Sequence, residues 1–575
     1  MLRNSDMLAA AITATLALVA PTPGLAACGA SDGAAVRAQG RVVHDLDGDG
    51  FAGPSEPGVA GVAVSNGCEV TTTDARGRYA LPLAPRQILF VSQPAGFEVS
   101  TDAARLPRFY YLHYPDGSDP EVAWRYPVIE PTGPLPASID FALKRAPDPD
   151  DRFRAHAFAD TQAGTDEAQD MLREDLVTPL VDNPWGVRFA ITVGDVVNDD
   201  LGLYPRHQAM MGLLGVPQWN LPGNHDLNLE APSAALANET YKRWYGPTYY
   251  SFDVGRVHFV ALNNVEYAGA GTARFDNGHY RGWISEDQLY WLERDLALVP
   301  RDKLIVIATH IPLITDARDG DRDPEGRRSD SLNTVNLDRL LELLAPFEHV
   351  YAIAGHDTSN SWKFLVDHEH GWHGRPFVAH TLAEARGNGW NRGPRDARGV
   401  RDAGMQDGNP NGYYVLHIDG TRLVPEFVPF PFGEDAAQRL RIVLDPPLEG
   451  GINRGRAAPG TRLVVNLFDG GSRDVVHASI DGEAFVELEH GVQIDPFVAR
   501  RHARHVGTDD AFAAPVPSSH VWSMPLPALS AGLHVARIQT EDEFGQRRSA
   551  HLTFELEHSL PAGPEETAAD VPAQP

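Results

Sequence analysis

The sequence predicts a multidomain protein: a central α/β two-sheet sandwich flanked by N-terminal and C-terminal Ig-like β-sandwich domains. The chain has 575 residues, several times the size of one domain. In its middle part, short apolar runs alternate with amphipathic segments, which is typical of layered α/β structure. On either side, short alternating runs are separated by turn residues and show no helical period, as in β-sandwiches.

Changes in composition along the chain give the predicted boundaries. Residues 28–146 form the N-terminal β-sandwich domain, and the Pro/Asp-rich residues 147–151 form a linker. Residues 152–428 form the α/β domain, and residues 429–560 form the C-terminal β domain. The final residues, 561–575, contain little to bury and are predicted to be disordered.

The elements of the α/β domain are buried strands and one well-marked helix. The helix begins at Ser285, which forms a capping box with Gln288, and ends before Pro300. The strands are short continuous apolar runs, namely Val187–Val193, Val257–Leu262, Lys303–Ala308 and Val350–Ala354. Alternating runs predict strands in the C-terminal domain at Arg462–Leu467, His477–Ile480 and Leu533–Gln539.

Charge and the N-terminus limit the partners and the location. The formal net charge is −29, which repels nucleic acid and anionic lipid, so a general nucleic-acid partner is excluded. Residues 1–27 contain Arg3, an apolar run too short to span a bilayer, and small residues before Cys28, as in an export signal. No other stretch approaches transmembrane length. We therefore expect a periplasmic or secreted protein, with its oligomeric state left open.

The two cysteines, Cys28 and Cys68, have two alternative fates. The string Leu25-Ala26-Ala27-Cys28 resembles a bacterial lipobox, in which Cys28 would carry a lipid anchor. A Cys28–Cys68 disulfide uses both thiols in an oxidising compartment, and we favour it.

Five short polar motifs, most of them directly after a predicted strand, carry the candidate chemistry. They are Asp160-Thr161-Gln162, Gly194-Asp195, Gly223-Asn224-His225-Asp226, Thr309-His310 and Gly355-His356-Asp357. Side chains just past the carboxyl ends of neighbouring strands converge on one edge of a sheet. The glycines let the backbone turn sharply there. Carboxylates, amides and imidazoles without thiolates suit divalent manganese, iron or zinc.

Two such ions can clamp a phosphoryl oxygen and activate a water. His225, between Asn224 and Asp226, is well placed in sequence to protonate a leaving group, because imidazole titrates near neutral pH. The set therefore predicts metal-dependent hydrolysis.

In these motifs and their order the chain resembles the calcineurin-like metallophosphoesterases, over about residues 152–428. Gly40–Pro82 and Met405–Tyr413, with the β region that follows, are similar to the flanking β domains of one exported bacterial subgroup. The resemblance implies a dinuclear centre that cleaves phosphoric esters in a phosphorylated small molecule or glycan. It further implies that metal-bound hydroxide attacks phosphorus and that His225 is the general acid.

Carried over by position, the resemblance implies the metal ligands. The first ion takes Asp160, with Gln162 standing where the commonest pattern has histidine, and Asp195 bridges both ions. The second ion takes Asn224, His310 and His356.

Two departures from the family pattern concern residues near the ligands. Asn198 occupies the last position of GD-x-x-D, which leaves Asp199 or Asp226 to orient His225. Thr358 stands where the final histidine of GH-x-H would bind the first ion.

With that histidine absent, we expect weak binding of the first ion, or rescue by Asp357 or His380. The alternative function is a catalytically impaired binding or surface-attachment protein that uses its β modules.

Two further groups have both a functional and a structural interpretation. Acidic residues spaced as in calcium loops predict a calcium site or an acidic turn, and the candidates are Asp45, Asp47, Asp49, Phe51 and Glu56. Arginines in the segment 386–401 predict a substrate-facing loop or a solvated surface, and the substrate candidates are Arg386, Arg392 and Arg395.

Overall fold

The computed structural model describes residues 36–146, 151–275, 279–316, 327–386, 390, 392–430 and 439–558. The predicted export signal, Cys28, most of the predicted linker and the predicted disordered tail lie outside the described residues. Within the described ranges, no helix has the length and apolar character that crossing a membrane requires.

The N-terminal region consists of eight strands in two four-stranded sheets, ordered β4-β1-β8-β6 and β3-β2-β5-β7. The strands are β1 (Val36–His44), β2 (Ala63–Ser65), β3 (Val70–Thr72), β4 (Arg78–Leu83), β5 (Gln87–Val91), β6 (Phe97–Val99), β7 (Tyr110–His113) and β8 (Phe141–Arg145). Cys68 forms a disulfide, and the one other cysteine of the sequence is Cys28.

The central region contains the next thirteen strands, most of them in two larger sheets. They are β9 (Arg152–Phe158), β10 (Ala190–Val193), β11 (Gln218–Leu221), β12 (Tyr250–Val254), β13 (Val257–Ala261), β14 (Val265–Tyr267), β15 (Tyr280–Gly282), β16 (Leu304–Ala308), β17 (His349–Ala354), β18 (Trp362–Val366), β19 (Phe377–Thr381), β20 (Gly412–Asp419) and β21 (Arg422–Pro429). One sheet has the order β11-β10-β9-β20-β21, and the other has the order β12-β13-β16-β17-β19-β18. Strands β9 to β11, and likewise β13, β16, β17 and β19, run parallel.

Short helices connect these strands. They are α1 (Asp166–Leu172), α2 (Thr178–Leu180), α3 (Tyr204–Met211), α4 (Glu239–Tyr245), α5 (Glu286–Leu296) and α6 (Leu337–Leu344). The predicted helix is α5, whose N-cap Ser285 accepts a hydrogen bond from the Gln288 amide. The Gln288 side chain bonds the backbone of Asn263 at 2.7 and 2.9 Å and donates to Ser285 Oγ at 3.2 Å, so it contacts the N-cap hydroxyl and not the N-cap amide that a capping box requires.

The two central sheets pack face to face through aromatic side chains. The ring of Phe189, beside β10, lies 5.1 Å from that of Phe259 on β13. Trp219 on β11 stacks on Phe252 of β12, with ring centroids 4.1 Å apart. This packing fixes the distance between the carboxyl ends of the two sheets.

The C-terminal region has ten strands in two sheets, ordered β22-β25-β29-β28 and β23-β24-β31-β30-β26-β27, and one helix, α7 (Pro496–His505). The strands are β22 (Leu440–Asp445), β23 (Glu449–Gly451), β24 (Arg454–Arg456), β25 (Arg462–Leu467), β26 (Val475–Ile480), β27 (Val486–Glu487), β28 (Glu489–Ile494), β29 (Pro517–Pro525), β30 (Gly532–Glu541) and β31 (Arg547–Leu556).

The architecture is therefore mixed α/β with several sheets. All the predicted strands are present, with ends that differ by at most three residues. The Ig-like character of the flanking regions and the domain boundaries stay predictions.

A buried ion-pair cluster ties β12, β13 and α5 together. His258 contacts Asp253 through Nδ1 at 2.8 Å and Asp295 through Nε2 at 2.9 Å. Burial alone would lower the pKa of His258, but the two carboxylates raise it to about 9. Since this pKa lies above the ordinary value of about 6.5, the cluster stabilises the fold fully below about pH 6.5 and loses that effect as the pH rises through 9.

We therefore expect His258→Gln to lower the free energy of unfolding by about 3 kcal/mol at pH 6, because it leaves the buried Asp295 carboxylate without its cation, while Asp253 keeps Lys303 at 2.7 Å. The loss should shrink by more than half at pH 10. Denaturant unfolding followed by tryptophan fluorescence at both pH values measures it. His417→Gln is the control, since His417 pairs with Glu426 on the partly exposed side of β20 and should cost less than about 1 kcal/mol. A loss at His258 that does not change with pH would contradict this account.

Candidate metal centre

The predicted ligands follow the ends of parallel strands in both central sheets. Asp160, Asp195 and Asn224 come two or three residues after β9, β10 and β11. His310 and His356 each come two residues after β16 and β17 of the other sheet. The structure brings ligands from both sheets together at one edge.

His310 is the centre of the second predicted site. Its Nδ1 donates to the Val193 carbonyl at 3.0 Å, so Nε2 carries a lone pair. That Nε2 lies 2.9 Å from Asn224 Oδ1 and 3.3 Å from Asp195 Oδ1. Burial lowers the pKa of His310 to about 3, which keeps the ring neutral. Two oxygen acceptors and one nitrogen acceptor thus face each other.

His356 adds a fourth donor atom to this group. Its Nε2 donates to the Ser331 carbonyl at 2.8 Å, and its Nδ1 lies 3.1 Å from His310 Nε2. Burial lowers the pKa of His356 to about 3 as well, so its Nδ1 also holds a lone pair. In this tautomer no hydrogen lies between His310 Nε2, His356 Nδ1 and the two oxygen atoms. Four lone pairs that face each other repel, and a bound cation would compensate them. Asp195, His310 and His356 have ligand atoms within 4.8 Å of one another.

The first predicted site is made of Asp160, Gln162 and Asp195. Both Asp160 carboxylate oxygens accept from the His356 amide, at 2.9 and 3.1 Å. Gln162 Nε2 donates to Asp195 Oδ2 at 3.0 Å, while its buried Oε1 has no hydrogen-bond partner. Burial and the charge of Asp195 raise the pKa of Asp160 well above its ordinary value. An unpartnered amide oxygen beside buried carboxylates fits a second divalent cation.

The motif glycines create room for ligands from other strands. A β-carbon on Gly194 would overlap the His310 ring, and one on Gly355 would overlap Asp160 Oδ2. A β-carbon on Gly223 would overlap Asp195 Oδ1. The predicted reason, a sharp turn, holds for Gly194, whose φ is +89°, whereas Gly223 has φ −110°. Close approach is the reason common to all three.

Five residues of the site have left-handed backbone, which costs side-chain-bearing residues about 1–2 kcal/mol each. Their φ values lie between +34° and +74°, and they are Asp160, Gln162, Asp195, Asp199 and His356. Such strain concentrated at one place is typical of a functional site.

His225 is oriented by Asp199 and not by Asp226. Its Nδ1 lies 2.9 Å from Asp199 Oδ1, and its Nε2 faces the ligands, 4.0 Å from Asp195 Oδ2. Burial would lower the pKa of His225, but the charges of Asp195 and Asp199 raise it to about 9. A bound cation would offset the Asp195 charge and bring that value down toward neutrality.

Asp226 has a structural role, which corrects its predicted part in orienting His225. Its buried carboxylate accepts from the backbone of Gly223 at 2.8 Å and Val196 at 3.0 Å, and from the Tyr204 hydroxyl at 2.8 Å. It therefore joins two ligand-bearing loops and has no oxygen left for His225.

Of the two predicted rescuers of the first site, His380 points elsewhere, whereas a role for the buried Asp357 stays a prediction. His380 contacts Asp469 through Nε2 and the Tyr351 hydroxyl through Nδ1, each at 2.9 Å, so both nitrogens are occupied. Asp357 Oδ1 accepts from the Ser359 amide at 3.0 Å and shapes the turn after His356. The prediction for His380 was wrong because its strand position turns it toward the C-terminal region.

The candidate substrate arginines separate into two groups. Arg386 donates to Asn198 Oδ1 at 3.4 Å, and its charge acts on Asp160, Asp195 and His225. Arg395, in contrast, pairs with Glu167 at 2.6 Å on the surface near α1, which corrects its predicted place at the substrate. Arg392 is exposed.

Sequence reasoning missed two residues at the site. Asn264 Oδ1 accepts from the backbone amides of His310 and Ile311, at 3.2 and 3.1 Å, and so holds the His310 loop. Glu384 is fully buried, three residues after β19, and both its carboxylate oxygens lack a hydrogen-bond partner. The rule that located the other ligands, a polar residue just past a strand, also applies to Glu384.

The acidic N-terminal loop groups Asp45, Asp47 and Asp49, whose carboxylates lie within 4.8 Å of one another. Its carboxylates already accept backbone bonds, including Asp45 from Gly48 at 2.6 Å and Glu56 from Leu46 at 2.7 Å. Phe51 donates its amide to Asp49 at 2.8 Å. A calcium ion in this loop stays a prediction.

In this α/β protein, lone pairs with no hydrogen between them converge at the carboxyl ends of the strands. This arrangement is typical of metal-binding proteins. Two family models match its flanks: "N terminal of Calcineurin-like phosphoesterase" at residues 49–126 and "C terminal of Calcineurin-like phosphoesterase" at residues 380–547. Over these residues the chain is similar to the calcineurin-like phosphoesterases.

Individual relatives are more distant. The chain is 31% identical over 110 residues to the serine/threonine-protein phosphatase CPPED1 of Pongo abelii, a match that covers 19% of this chain and 32% of that protein. The chain thus matches about a third of the length of this relative. A purple acid phosphatase, PPD1, from yellow lupin (Lupinus luteus) aligns at 13% identity over 69% of this chain and 72% of the other, with a TM-score of 0.32. CopC from Methylosinus trichosporium OB3b aligns over 20% of this chain and 94% of its own, at 13% identity and a TM-score of 0.12.

Proposed function

We propose that this protein is a metal-dependent hydrolase of phosphoric esters. The observation that carries the proposal is the group of four lone pairs around His310 Nε2, formed by neutral imidazoles, an amide oxygen and a carboxylate oxygen within 3.3 Å. The matches to the two calcineurin-like phosphoesterase models support the same chemistry. The unpartnered Gln162 Oε1 supports a second cation beside the first.

In this proposal Asn224, His310 and His356 hold one cation, Asp160 and Gln162 hold the other, and Asp195 joins them. Manganese, iron or zinc at these positions would supply charge stabilisation for the phosphoryl group and would acidify water. The chain's own groups fix the ligands in place, since His310 and His356 are each anchored through the second ring nitrogen.

His225 is the proposed proton donor to the leaving oxygen. Its Nδ1 hydrogen is held by Asp199, which leaves Nε2 to face the ligands and deliver a proton toward them. Arg386 is the proposed phosphate-binding group, because its positive charge already lies within range of Asp160, Asp195 and His225. The proposed substrate is a phosphorylated small molecule or glycan.

We also propose that the protein works outside the cytoplasm, in the periplasm or in the medium. Residues 1–27 have the pattern of an export signal. The disulfide at Cys68 supports an oxidising compartment. A lipid anchor at Cys28 would leave that disulfide without its partner.

The test is a panel of phosphomonoesters, phosphodiesters, pyrophosphate and phosphorylated sugars, with manganese, zinc or iron added back to chelator-treated protein. We expect hydrolysis of at least one class in a metal-dependent manner, and none by Asp195→Ala, which removes the bridging carboxylate. Failure of the wild-type protein to bind any of these metals would favour the alternative, a binding protein with a degenerate centre.

Replacing His225 with Asn should reduce turnover of an alkyl phosphate ester by about 10²- to 10⁴-fold, because an alkoxide leaving group needs a proton. Metal content should not change. The same variant should keep most of its activity on a p-nitrophenyl ester, whose leaving group departs without protonation. An equal loss on both esters would argue against proton donation by His225.

Replacing Arg386 with Ala should raise KM by about tenfold or more, since charge-assisted hydrogen bonds to phosphate contribute about 1.5–3 kcal/mol. Arg395→Ala is the matched control, because Arg395 pairs with Glu167 at the surface, and its KM should equal that of the wild type. Steady-state kinetics on the best panel substrate measures both. Equal values for the two variants would exclude Arg386 from the substrate site.

A further inference from the structure

Glu384 lies where the two central sheets meet at the metal-binding edge. After β19, the backbone on either side of Glu384 forms hydrogen bonds to both sheets. The Leu382 amide donates to the Ala354 carbonyl at 2.8 Å, and the Ala385 amide donates to the Ala159 carbonyl at 2.9 Å. The Arg386 amide donates to the Asp160 carbonyl at 3.1 Å. The backbone therefore carries Glu384 between the end of β17, which bears His356, and the end of β9, which bears Asp160.

The Glu384 side chain is fully buried, and neither of its carboxylate oxygens has a hydrogen-bond partner. Burying a carboxylate without a donor costs several kcal/mol unless a cation compensates or the group is protonated. Glu239, another fully buried Glu of the central region, shows the usual solution. Its oxygens accept from Ser118 at 2.5 Å and from Lys242 at 2.9 Å.

The charges around Glu384 are those of the metal centre. Burial raises the pKa of Glu384 well above its ordinary value, the charge of Asp160 raises it further, and Arg386 partly offsets this. Asp357 and Asp195 add to the same repulsion. An arrangement of this kind is unfavourable for the protein alone and favourable around a divalent cation.

The first site is also the one that lacks a ligand. Within the described part of the central region, the second site has three His or carboxylate ligand atoms within 4.8 Å of one another. Asp160, Asp195 and Glu384 do not form such a group, so a cation would have to draw the Glu384 carboxylate toward the other two. Thr358 stands where the family pattern has a histidine. Both ring nitrogens of His380 are occupied by hydrogen bonds to Tyr351 and Asp469.

We propose that Glu384 is a ligand of the first cation and supplies the donor that the missing histidine at Thr358 would otherwise give; this rests on the two-cation centre of the proposed function. A carboxylate in place of an imidazole makes the first site harder and more negative, which favours manganese or iron over zinc.

The test measures metal binding by the full chain rather than activity. Chelator-treated protein is titrated with manganese by calorimetry, and bound metal is counted by elemental analysis after desalting. Wild-type protein should hold about two ions, the number that a two-metal site needs. Glu384→Gln should hold about one, with affinity for the first ion reduced by at least about 100-fold, since even indirect partners of ligands contribute about 10- to 100-fold.

Two further variants separate coordination from folding. Glu239→Gln removes a fully buried carboxylate away from the ligands and should keep about two ions. Adding Thr358→His to Glu384→Gln should restore the second ion. In chelator, Glu384→Gln should melt no lower than the wild type, because it removes an unpartnered acid, while the rise in Tm on adding manganese should be smaller.

The outcomes discriminate between the two proposals. Two ions at wild-type affinity in Glu384→Gln would overturn the role of Glu384 and leave the metal centre standing. A single bound ion in the wild type would also overturn the role of Glu384, since the first cation would be missing. No ion in the wild type would instead overturn the proposed function. If Glu384→Gln does not fold, Glu384→Asp, which keeps the charge on a shorter side chain, should still weaken the first ion; unchanged affinity there would overturn the proposal.

Discussion

The close approach of ligands from two different sheets is the constraint on which the rest of the site depends. The ligands of one sheet and the imidazoles of the other meet only because the sheets pack at a fixed distance through Phe189, Trp219 and Phe252. Left-handed backbone at the ligand positions then aims the side chains inward, and the glycines leave space between them. The residues with left-handed backbone lie in the loops that follow the strands, where the close-packed sheets hold both ends of each loop.

Electrostatics makes this arrangement incomplete without cations. Burial raises the pKa of Asp160, Asp195 and Glu384, and their mutual repulsion adds to this for Asp160 and Glu384. The neutral rings of His310 and His356 contribute lone pairs and no compensating charge. Because the folded state gathers acceptors without donors, metal binding and the stability of this edge are linked.

The sequence was sufficient for the strands, the N-cap at Ser285 and the position of the candidate ligands after strand ends, because these depend on local pattern. It left open whether Asp199 or Asp226 orients His225, since the direction of each side chain is set by the loop that carries it. Arg395 was misjudged because its partner, Glu167, lies far away in the chain. Glu384 follows a strand end as the other candidates do, but it was missed because none of the sequence motifs includes it and its burial arises from tertiary packing.

Both flanking regions form hydrogen bonds to residues beside the candidate metal centre. The Tyr126 hydroxyl of the N-terminal region donates to the Asp199 carbonyl at 3.0 Å, beside the group that orients His225. From the C-terminal region, Asp469 accepts from the Tyr414 hydroxyl at 2.7 Å, and that hydroxyl accepts from the Ala383 amide at 2.8 Å, next to Glu384. The two family models that match the flanks therefore include residues that support the centre. A chain in which the β regions served only to bind a partner would not need these contacts to the candidate metal centre, and their presence favours a single structural unit.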